Sequence, residues 1–172
     1  IMVDDANREN EGDMIIPAEK VTAELIAFTI RYTGGVICLA MQNDLADRLE
    51  LPAMVEHNRA RRQTAYTVSI EARTGVGSGI SAKDRATTIL TTVKPGVTAE
   101  DLVRPGHLVP LRARRGGVLR PAGHTEAPVD LCRLAGLQPV GAVSELMHDD
   151  GTMMRLTAIR EFARTHQLKV GT

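Results

Sequence analysis

Aromatic side chains and net charge are both scarce in this sequence of 172 residues. It has no Trp, two Phe and two Tyr, and its 21 basic residues balance 21 acidic ones. The core must therefore consist mainly of aliphatic side chains, and aromatic platforms for stacking nucleotide bases are not expected. A formal charge of zero also removes the broad positive surface that nucleic-acid binding requires, so we expect no nucleic-acid partner.

Long apolar runs and closely spaced cysteines are missing as well. The apolar run 36–41 is too short to span a bilayer and no secretory signal opens the chain, so we expect no membrane contact and a cytoplasmic protein. Cys38 and Cys132 lack the spacing of a metal knuckle or a redox pair and are expected to be buried thiols. A chain of this length folds without a structural metal, so any metal would serve chemistry.

No repeat, low-complexity tract or flexible linker divides the sequence, and helical and strand patterns alternate along it. Helices are predicted over residues 17–33, over 43–50 with Asn43 as the cap, from Ser81 with Asp84, from Thr98 with Asp101, over 125–135 and after Thr157. Strands are predicted over residues 36–41, 64–72, 108–113 and 139–147. The fold class is α/β (α+β): one layered domain, residues 1–172, with a mixed sheet covered by helices. The pattern leaves the direction of neighbouring strands open.

Five carboxylates and one arginine lie within the ten residues 4–13. Like charges this close repel, so the segment is either a loop that faces water or a site for a divalent cation. A hard cation such as Mg²⁺ takes oxygen ligands, usually carboxylates together with water and substrate oxygens. Gly12 suits a sharp turn that would let Glu11 and Asp13 face a common point.

A glycine-rich segment, residues 116–126, leads into the helix predicted at Thr125. Backbone N–H groups at a helix start attract anions, so this segment fits a phosphate group. Charge-assisted contacts from nearby arginines would strengthen such a site, although each of them is also a plausible surface residue. The arginines are Arg112, Arg114, Arg115 and Arg120. His124 is a candidate metal ligand or proton carrier, or an ordinary capping residue.

Two further ionisable residues stand in unusual surroundings. His107 follows a tight turn at residues 104–106 that leads into a predicted strand, and Glu145 lies near the end of the apolar strand 139–147. A carboxylate on a buried strand costs free energy unless it is paired, and burial raises its pKa toward a useful range. Glu145 is therefore a candidate acid or base, unless it points outward from an edge strand.

Four motifs make the chain resemble the 3,4-dihydroxy-2-butanone 4-phosphate synthase family of riboflavin biosynthesis. They are Arg8-Glu9-Asn10-Glu11-Gly12-Asp13, Arg104-Pro105-Gly106-His107, Gly123-His124-Thr125-Glu126-Ala127, and Glu145 shortly before Asp149-Asp150-Gly151. The resemblance implies a lyase that depends on Mg²⁺ (or Mn²⁺) and converts D-ribulose 5-phosphate into L-3,4-dihydroxy-2-butanone 4-phosphate and formate. It also implies a homodimer with active sites at the subunit interface.

The resemblance further implies roles for individual residues. Glu9 and His124 would bind the metal, and His107 and Glu145 would be catalytic. The acidic loop with Glu9, Glu11 and Asp13 would close over the substrate. The implied substrate contacts are Arg8, Glu9, Asp13, Arg120, Gly123, His124, Thr125 and Glu145.

The chain departs from the family pattern at three points. Three residues precede Asp4 where the family has a helix and most of a strand, so we expect the domain to lack these N-terminal elements. Ala6 replaces a common acidic residue, and Pro121 stands where many relatives carry a substrate-contacting arginine, a contact that Arg120 would then supply. Fusion to GTP cyclohydrolase II and a freestanding enzyme both fit the resemblance. The alternative functions are an inactive sugar-phosphate or metal-binding regulatory module and another metal-dependent phosphosugar isomerase or aldolase.

Overall fold

A computed structural model of the chain describes residues 1–5, 7–114, 116–117 and 123–172. Ala6, Arg115, Arg120 and Pro121 lie outside the described residues, so the expectations placed on them stay predictions. No helix in the described ranges is both long enough and apolar enough to cross a membrane.

Within these ranges, six strands form one mixed sheet in the order β1, β2, β6, β3, β5, β4. The strands are β1 (Met2–Val3), β2 (Gly12–Pro17), β3 (Cys38–Met41), β4 (Ile70–Ala72), β5 (Leu102–Arg112) and β6 (Val140–Glu145). Strands β3 and β5 run parallel, and the other neighbouring strands run antiparallel. These pairings supply the strand directions that the sequence pattern left open.

Helices cover both faces of the sheet. The α-helices are α1 (Ala23–Tyr32), α2 (Asn43–Arg48), α3 (Ala82–Val93), α4 (Glu126–Leu134) and α5 (Leu156–His166). The main core lies on one face, where Ile26 of α1 and Ile89 of α3 pack in one cluster with Leu39 of β3. Val129 of α4 packs against Ala40, the next residue of β3, and so lies on the opposite face. The predicted layered fold with a mixed sheet is therefore confirmed.

Most predicted elements are present, with ends that differ by a few residues. The strands predicted over 36–41 and 139–147 correspond to β3 and β6, and the helices predicted over 125–135 and after Thr157 correspond to α4 and α5. Helix α4 ends before Gly136, whose φ of 71° is the left-handed conformation typical of a residue just after a helix.

The helix predicted from residue 17 begins later than expected. Pro17 is the last residue of β2, and a short 3₁₀ turn (Ala18–Lys20) separates it from α1. The Thr22 hydroxyl caps α1 by accepting the backbone N–H of Leu25 at 3.2 Å. Pro17 also fits the helical pattern, but it pairs with β6 as part of β2 and so belongs to the strand.

Asn43 was expected to cap α2 but is its first helical residue. Gln42 holds the N-cap position, and the Asn43 amide donates to the carbonyl of Ala113 at 3.1 Å. The prediction was wrong because this side chain has a partner 70 residues away, which a local pattern does not reveal.

The two predicted capping boxes have different outcomes. Ser81 caps α3 as expected, since its hydroxyl accepts the N–H of Asp84 at 3.0 Å. Thr98 and Asp101 also form a capping box, but the helix it starts is a single 3₁₀ turn (Ala99–Asp101) because β5 begins at the next residue.

The predicted strands around β4 and β5 have the wrong lengths. In place of a strand over 64–72, only Ile70–Ala72 is regular, and Tyr66 makes an isolated bridge to Leu111. The strand predicted over 108–113 is part of the eleven-residue β5, Leu102–Arg112. His107 therefore lies inside a strand and does not follow a turn.

Gly12 has a packing role that the sequence did not indicate. It is the first residue of β2 and not part of a turn. A Cβ at this position would lie 2.4 Å from Cδ1 of Ile159, which is fully buried in α5. Ile159 belongs to a second apolar cluster that also holds Phe28, Tyr32 and Phe162. Gly12 therefore lets α5 approach the strand that leads out of the acidic loop.

Candidate active site

Two carboxylates lie side by side on neighbouring strands. Asp13 of β2 pairs in register with Glu145 of β6, so both side chains are on the same face of the sheet. Asp13 is 2% exposed, and burial raises the pKa of its carboxyl despite the hydrogen bond from His124. Desolvation by surrounding atoms, followed by the charge of Asp13, raises the pKa of Glu145, although its side chain remains exposed to solvent. The pair places two proton-holding groups next to each other.

His124 lies between Asp13 and the acidic loop. Its Nδ1 is 2.8 Å from Oδ2 of Asp13, and its Nε2 is 3.5 Å from Oδ2 of Asp4. Burial acts to lower the pKa of His124, but the hydrogen bond and charge of Asp13 outweigh it and raise the pKa above the ordinary value. Nε2 is buried and has no hydrogen-bond partner among the described residues. A buried polar atom without a partner indicates a missing ligand or water.

Asp4 holds the acidic loop in shape. Its carboxylate accepts the backbone N–H of Glu9 at 3.1 Å and that of Glu11 at 2.9 Å, and it pairs with Arg8 at 2.9 Å. Burial acts to raise the pKa of Asp4, but these hydrogen bonds outweigh it and keep the pKa below its ordinary value. Asp4 therefore carries a negative charge beside His124.

Asp4, Glu9 and His124 form a candidate metal site. Each offers one donor atom, and these atoms lie within 4.8 Å of one another; no other such group is found in the described part of the chain. Glu9 and His124 are the two ligands that the resemblance implied. Asp4 was missed: it belongs to the acidic segment seen in the sequence, but its nearness to His124 depends on folding.

Arginines neutralise Glu9 in this structure. The Glu9 carboxylate contacts Arg8 at 2.9 Å and Nε of Arg62 at 3.3 Å. Arg155 donates to the backbone carbonyls of Glu9 at 2.8 Å and Asn10 at 2.7 Å. The acidic loop is thus bound from two sides by cations outside it, which offset the repulsion among its carboxylates.

Glu11 lies apart from the candidate metal site. The nearest cation to its carboxylate is Arg155, at 3.7 Å. Burial and the charges of Glu9 and Asp13 raise the pKa of Glu11 against the opposing effect of Arg155. Because β2 already begins at Gly12, no turn brings Glu11 and Asp13 to a common point, and the expectation of a turn at Gly12 was wrong.

A cavity of about 110 Å³ connects the groups described above. Its lining consists of Arg8, Glu9, Asp13, Cys38, Thr64, Tyr66, Leu111, His124, Thr125, Val143 and Glu145. Cys38, Leu111 and Val143 of this lining come from β3, β5 and β6. The structure therefore brings together most of the site residues predicted from the sequence.

An arginine-rich cavity of about 320 Å³ adjoins this space, since both cavities share Arg8, Thr64 and Thr125. Gly123 and Thr125, which precede helix α4, form part of its lining, so the helix start for which the sequence predicts a phosphate contact borders this cavity. The arginines that line it are Arg8, Arg61, Arg62, Arg112 and Arg114. Arg61 and Arg62 were not predicted as site residues, although the cluster Arg59-Ala60-Arg61-Arg62 is visible in the sequence.

His107, like Glu11, is a predicted site residue that lies elsewhere. It is not part of the lining of either cavity. Its Nδ1 atom forms a hydrogen bond with the carboxylate of Glu71, on the neighbouring strand β4. One copy of the chain therefore does not place His107 beside Glu145.

Comparisons with known proteins find similarity over the whole chain. The family model described as 3,4-dihydroxy-2-butanone 4-phosphate synthase matches residues 1–172. The riboflavin biosynthesis protein RibBA of Salinispora tropica is 56% identical over 172 residues, which are 100% of this chain and 43% of that protein. The 3,4-dihydroxy-2-butanone 4-phosphate synthase of Tolumonas auensis is 52% identical over 170 residues, 99% of this chain and 78% of that protein.

A crystal structure of a 3,4-dihydroxy-2-butanone 4-phosphate synthase in complex with two magnesium ions has the same fold. Its TM-score is 0.97 at 43% sequence identity, and the match covers 99% of this chain and 85% of that one. The chain thus spans less than half of the RibBA protein's length and most of the length of the other two proteins.

Proposed function

This chain belongs to the 3,4-dihydroxy-2-butanone 4-phosphate synthase family, and we propose that it converts D-ribulose 5-phosphate into L-3,4-dihydroxy-2-butanone 4-phosphate and formate. The observation that carries the proposal is the convergence of Asp4, Glu9 and His124 beside the paired carboxylates Asp13 and Glu145. These residues come from three distant segments of the chain and meet at one cavity edge.

Asp4, Glu9 and His124 fit a divalent cation such as Mg²⁺ or Mn²⁺. Carboxylate oxygens suit both ions, and an imidazole nitrogen adds a ligand of intermediate softness. The buried Nε2 of His124, without a hydrogen-bond partner among the described residues, supports this assignment. When bound, the ion would supply positive charge beside the sugar oxygens, where negative charge develops after a proton is removed next to the ketone.

Glu145 is the group within one subunit that we assign to proton transfer. It borders the cavity, and its raised pKa brings its protonation closer to neutral pH than that of an ordinary glutamate. Asp13 accepts a hydrogen bond from Nδ1–H of His124, which leaves Nε2 for the cation. Glu145 would thus exchange protons with the substrate, while Asp13 fixes the orientation of a ligand and contacts the sugar.

The arginine-rich cavity is the place for the phosphate group of the substrate. Arginine guanidinium groups form paired hydrogen bonds with phosphate oxygens, and the start of α4 at Thr125 offers backbone N–H groups. Arg8 belongs to both cavities and would contact the sugar between the cation and the phosphate. Gly123 also lines the arginine-rich cavity. Arg120 lies outside the described residues and stays a predicted contact.

A homodimer would explain the position of His107. His107 lies outside the cavity that Glu145 borders, so a catalytic role for both residues requires a second subunit to bring a His107 to each cavity. Size measurement in solution tests this arrangement.

A second domain is a separate proposal. The RibBA relative is more than twice as long as the matched region, which leaves length for another domain in that protein. A GTP cyclohydrolase II domain joined to this one stays a prediction from the resemblance.

Formate release tests the proposed reaction. The protein with D-ribulose 5-phosphate and Mg²⁺ should release one formate per substrate consumed, and both chelation of the metal and the variant Glu145→Gln should stop release. An unchanged product mass would indicate an isomerase, and two fragments without formate an aldolase. Calorimetric binding without turnover would identify a binding module. Absence of formate from a folded, dimeric, metal-loaded sample contradicts the proposal.

A further inference from the structure

The pairing of β4 with β5 changes register next to His107. Ile70 pairs with Leu108, but the next residue, Glu71, pairs with Val103. The four residues 104–107 of β5 therefore have no counterpart on β4 and form a bulge in the ladder. His107 is the last residue of this bulge. Bulges redirect side chains, and this one determines where His107 points.

The backbone of the bulge is held in place by close contacts. The N–H of Gly106 donates to the hydroxyl of Ser69 at 3.1 Å, and Arg104 donates to the carbonyl of Leu49. A Cβ on Gly106 would lie 2.1 Å from the backbone carbon and oxygen of Ile70, so the bulge packs directly on β4 and requires glycine there.

Glu71, on the neighbouring strand β4, holds the ring of His107. Its Oε1 is within hydrogen-bond distance of Nδ1, and the Glu71 side chain is 16% exposed whereas that of His107 is 43% exposed. A carboxylate accepts but does not donate, so this contact favours the neutral tautomer with the proton on Nδ1. In that tautomer Nε2 keeps its lone pair.

A loop glycine makes room for the Glu71 carboxylate. Gly79 has a φ of 86°, and a Cβ there would lie 1.7 Å from Oε1 of Glu71. The backbone N–H of Gly79 in turn donates to Asp84, near the start of α3, at 3.0 Å. Glu71 is thus confined between its own strand, β4, and Gly79, which a hydrogen bond connects to α3.

We propose that Glu71 is a positioning residue for His107: it selects the tautomer with the proton on Nδ1 and aims Nε2, as a proton acceptor, at the substrate held by a neighbouring subunit. The proposal rests on the proposed function, in which His107 is catalytic. Second-layer carboxylates on functional histidines act in this way elsewhere, and their loss costs about 10- to 100-fold in activity.

The variant Glu71→Gln tests the proposal. It keeps the shape of the side chain, but its amide can donate to Nδ1 and so favours the tautomer with the proton on Nε2. We expect kcat to fall about 10- to 100-fold with little change in KM. The ¹⁵N chemical shifts of the His107 ring should change from the Nδ1–H pattern to the Nε2–H pattern. The matched control is Glu100→Gln, which changes an exposed glutamate that pairs with Arg73 and should leave kcat unchanged.

A second variant perturbs the same contact without changing Glu71. Gly79→Ala should displace the carboxylate and reduce kcat as Glu71→Gln does. Gly75→Ala is the matched control. Gly75 lies in the same loop and has a similar φ of 81°, but a Cβ there would be an ordinary 3.5 Å from Thr87, so this variant has the backbone strain without the clash. Both variants place alanine at a positive φ, so a loss of kcat in Gly79→Ala beyond that in Gly75→Ala reports the Glu71 contact.

A double-mutant cycle separates positioning from a structural role. In the His107→Ala background, Glu71→Gln should cause no further loss of kcat. An equal loss in both backgrounds, or an unchanged ring pattern and kcat in Glu71→Gln, overturns the proposal. Failure of the wild type to release formate contradicts the proposed function instead, and the ¹⁵N pattern still tests whether Glu71 sets the tautomer.

Discussion

Nδ1 of His124 lies 2.8 Å from a carboxylate oxygen of Asp13, a residue that strand β2 buries, and this contact directs Nε2 toward Asp4. The two residues are 111 positions apart in the sequence. The orientation of the predicted metal ligand His124 therefore depends on the pairing of β2 and on the start of α4.

The first prediction concerns this contact. In Asp13→Asn, the side-chain amide can donate to Nδ1, which favours a proton on Nε2 and blocks that nitrogen as a ligand. We expect the affinity for Mn²⁺, measured by electron paramagnetic resonance, to fall about 10- to 100-fold. Asp5→Asn removes a carboxylate of the same loop that accepts the N–H of Asn7, and should leave the affinity near the wild-type value. Equal affinities in all three proteins would contradict the assignment of Nε2.

The second prediction concerns Asp4, which forms the candidate metal site together with Glu9 and His124. Asp4→Asn removes a charged ligand and should lower the affinity for Mn²⁺ at least about tenfold. Glu11→Gln, whose carboxylate lies near Arg155 and outside the donor group, is the matched control. If both variants lose affinity equally, the total charge of the loop, and not the set Asp4, Glu9 and His124, determines binding.

The third prediction concerns the arginine-rich cavity. Arg61 lines it, whereas Arg59 lines only the adjoining, mostly apolar cavity. Arg61→Gln should raise the KM for D-ribulose 5-phosphate about tenfold and leave kcat nearly unchanged, because a phosphate contact binds the ground state and the transition state alike. Arg59→Gln should leave both constants unchanged. Steady-state kinetics of the two variants checks this, and a matching rise of KM in both would argue against a phosphate site at Arg61.

Cys38 provides the fourth prediction. It lines the cavity that Glu145 borders, yet burial, aided by the charges of Glu145 and Asp13, raises the pKa of its thiol to about 12. The thiolate fraction at pH 8 is then about one in ten thousand, so iodoacetamide should react with native Cys38 far more slowly than with the unfolded chain. Peptide mass spectrometry at several times measures both rates. Comparable rates in the two states would refute the raised pKa.

Gly12 provides the fifth prediction. In Gly12→Ala, the new methyl group would meet Cδ1 of Ile159, and we expect a loss of about 1–3 kcal/mol in the free energy of unfolding. Ile159→Val removes that carbon, so it should restore part of the stability in the Gly12→Ala background while lowering it in the wild type. Denaturant titration of the four proteins gives the coupling. Purely additive losses would mean that the two side chains do not compete for space.

Local signals in the sequence predicted much of the fold. Ser81 caps a helix with its own side chain, and the strands β3 and β6 are contiguous apolar runs, so each was visible without knowledge of distant residues. The length of β5 was not visible, because Pro105 and Gly106 are typical of a turn and only the pairing of β5 with β4 makes the segment a strand.

The same distinction holds for the candidate site. The acidic loop and the helix start at Thr125 were predicted from residue types and spacing. The pairing of Asp13 with Glu145 results from strand register across the sheet, and the contact of Asp4 with His124 joins two segments far apart in the chain; a one-dimensional pattern contains neither. Arg62 was missed for the same reason, since its contact with Glu9 spans 53 positions.

Arg62 and Arg8 already hold the carboxylate that a cation would need. An ion that takes Glu9 as a ligand must replace the guanidinium groups now 3.3 Å and 2.9 Å from that carboxylate. The measured affinity for the ion is then lower than the strength of its coordination alone, because the lost contacts between Glu9 and the arginines are subtracted from it. Arginines released in this exchange are at the edge of the neighbouring cavity, free to turn to an incoming anion, so cation and sugar phosphate would each make room for the other.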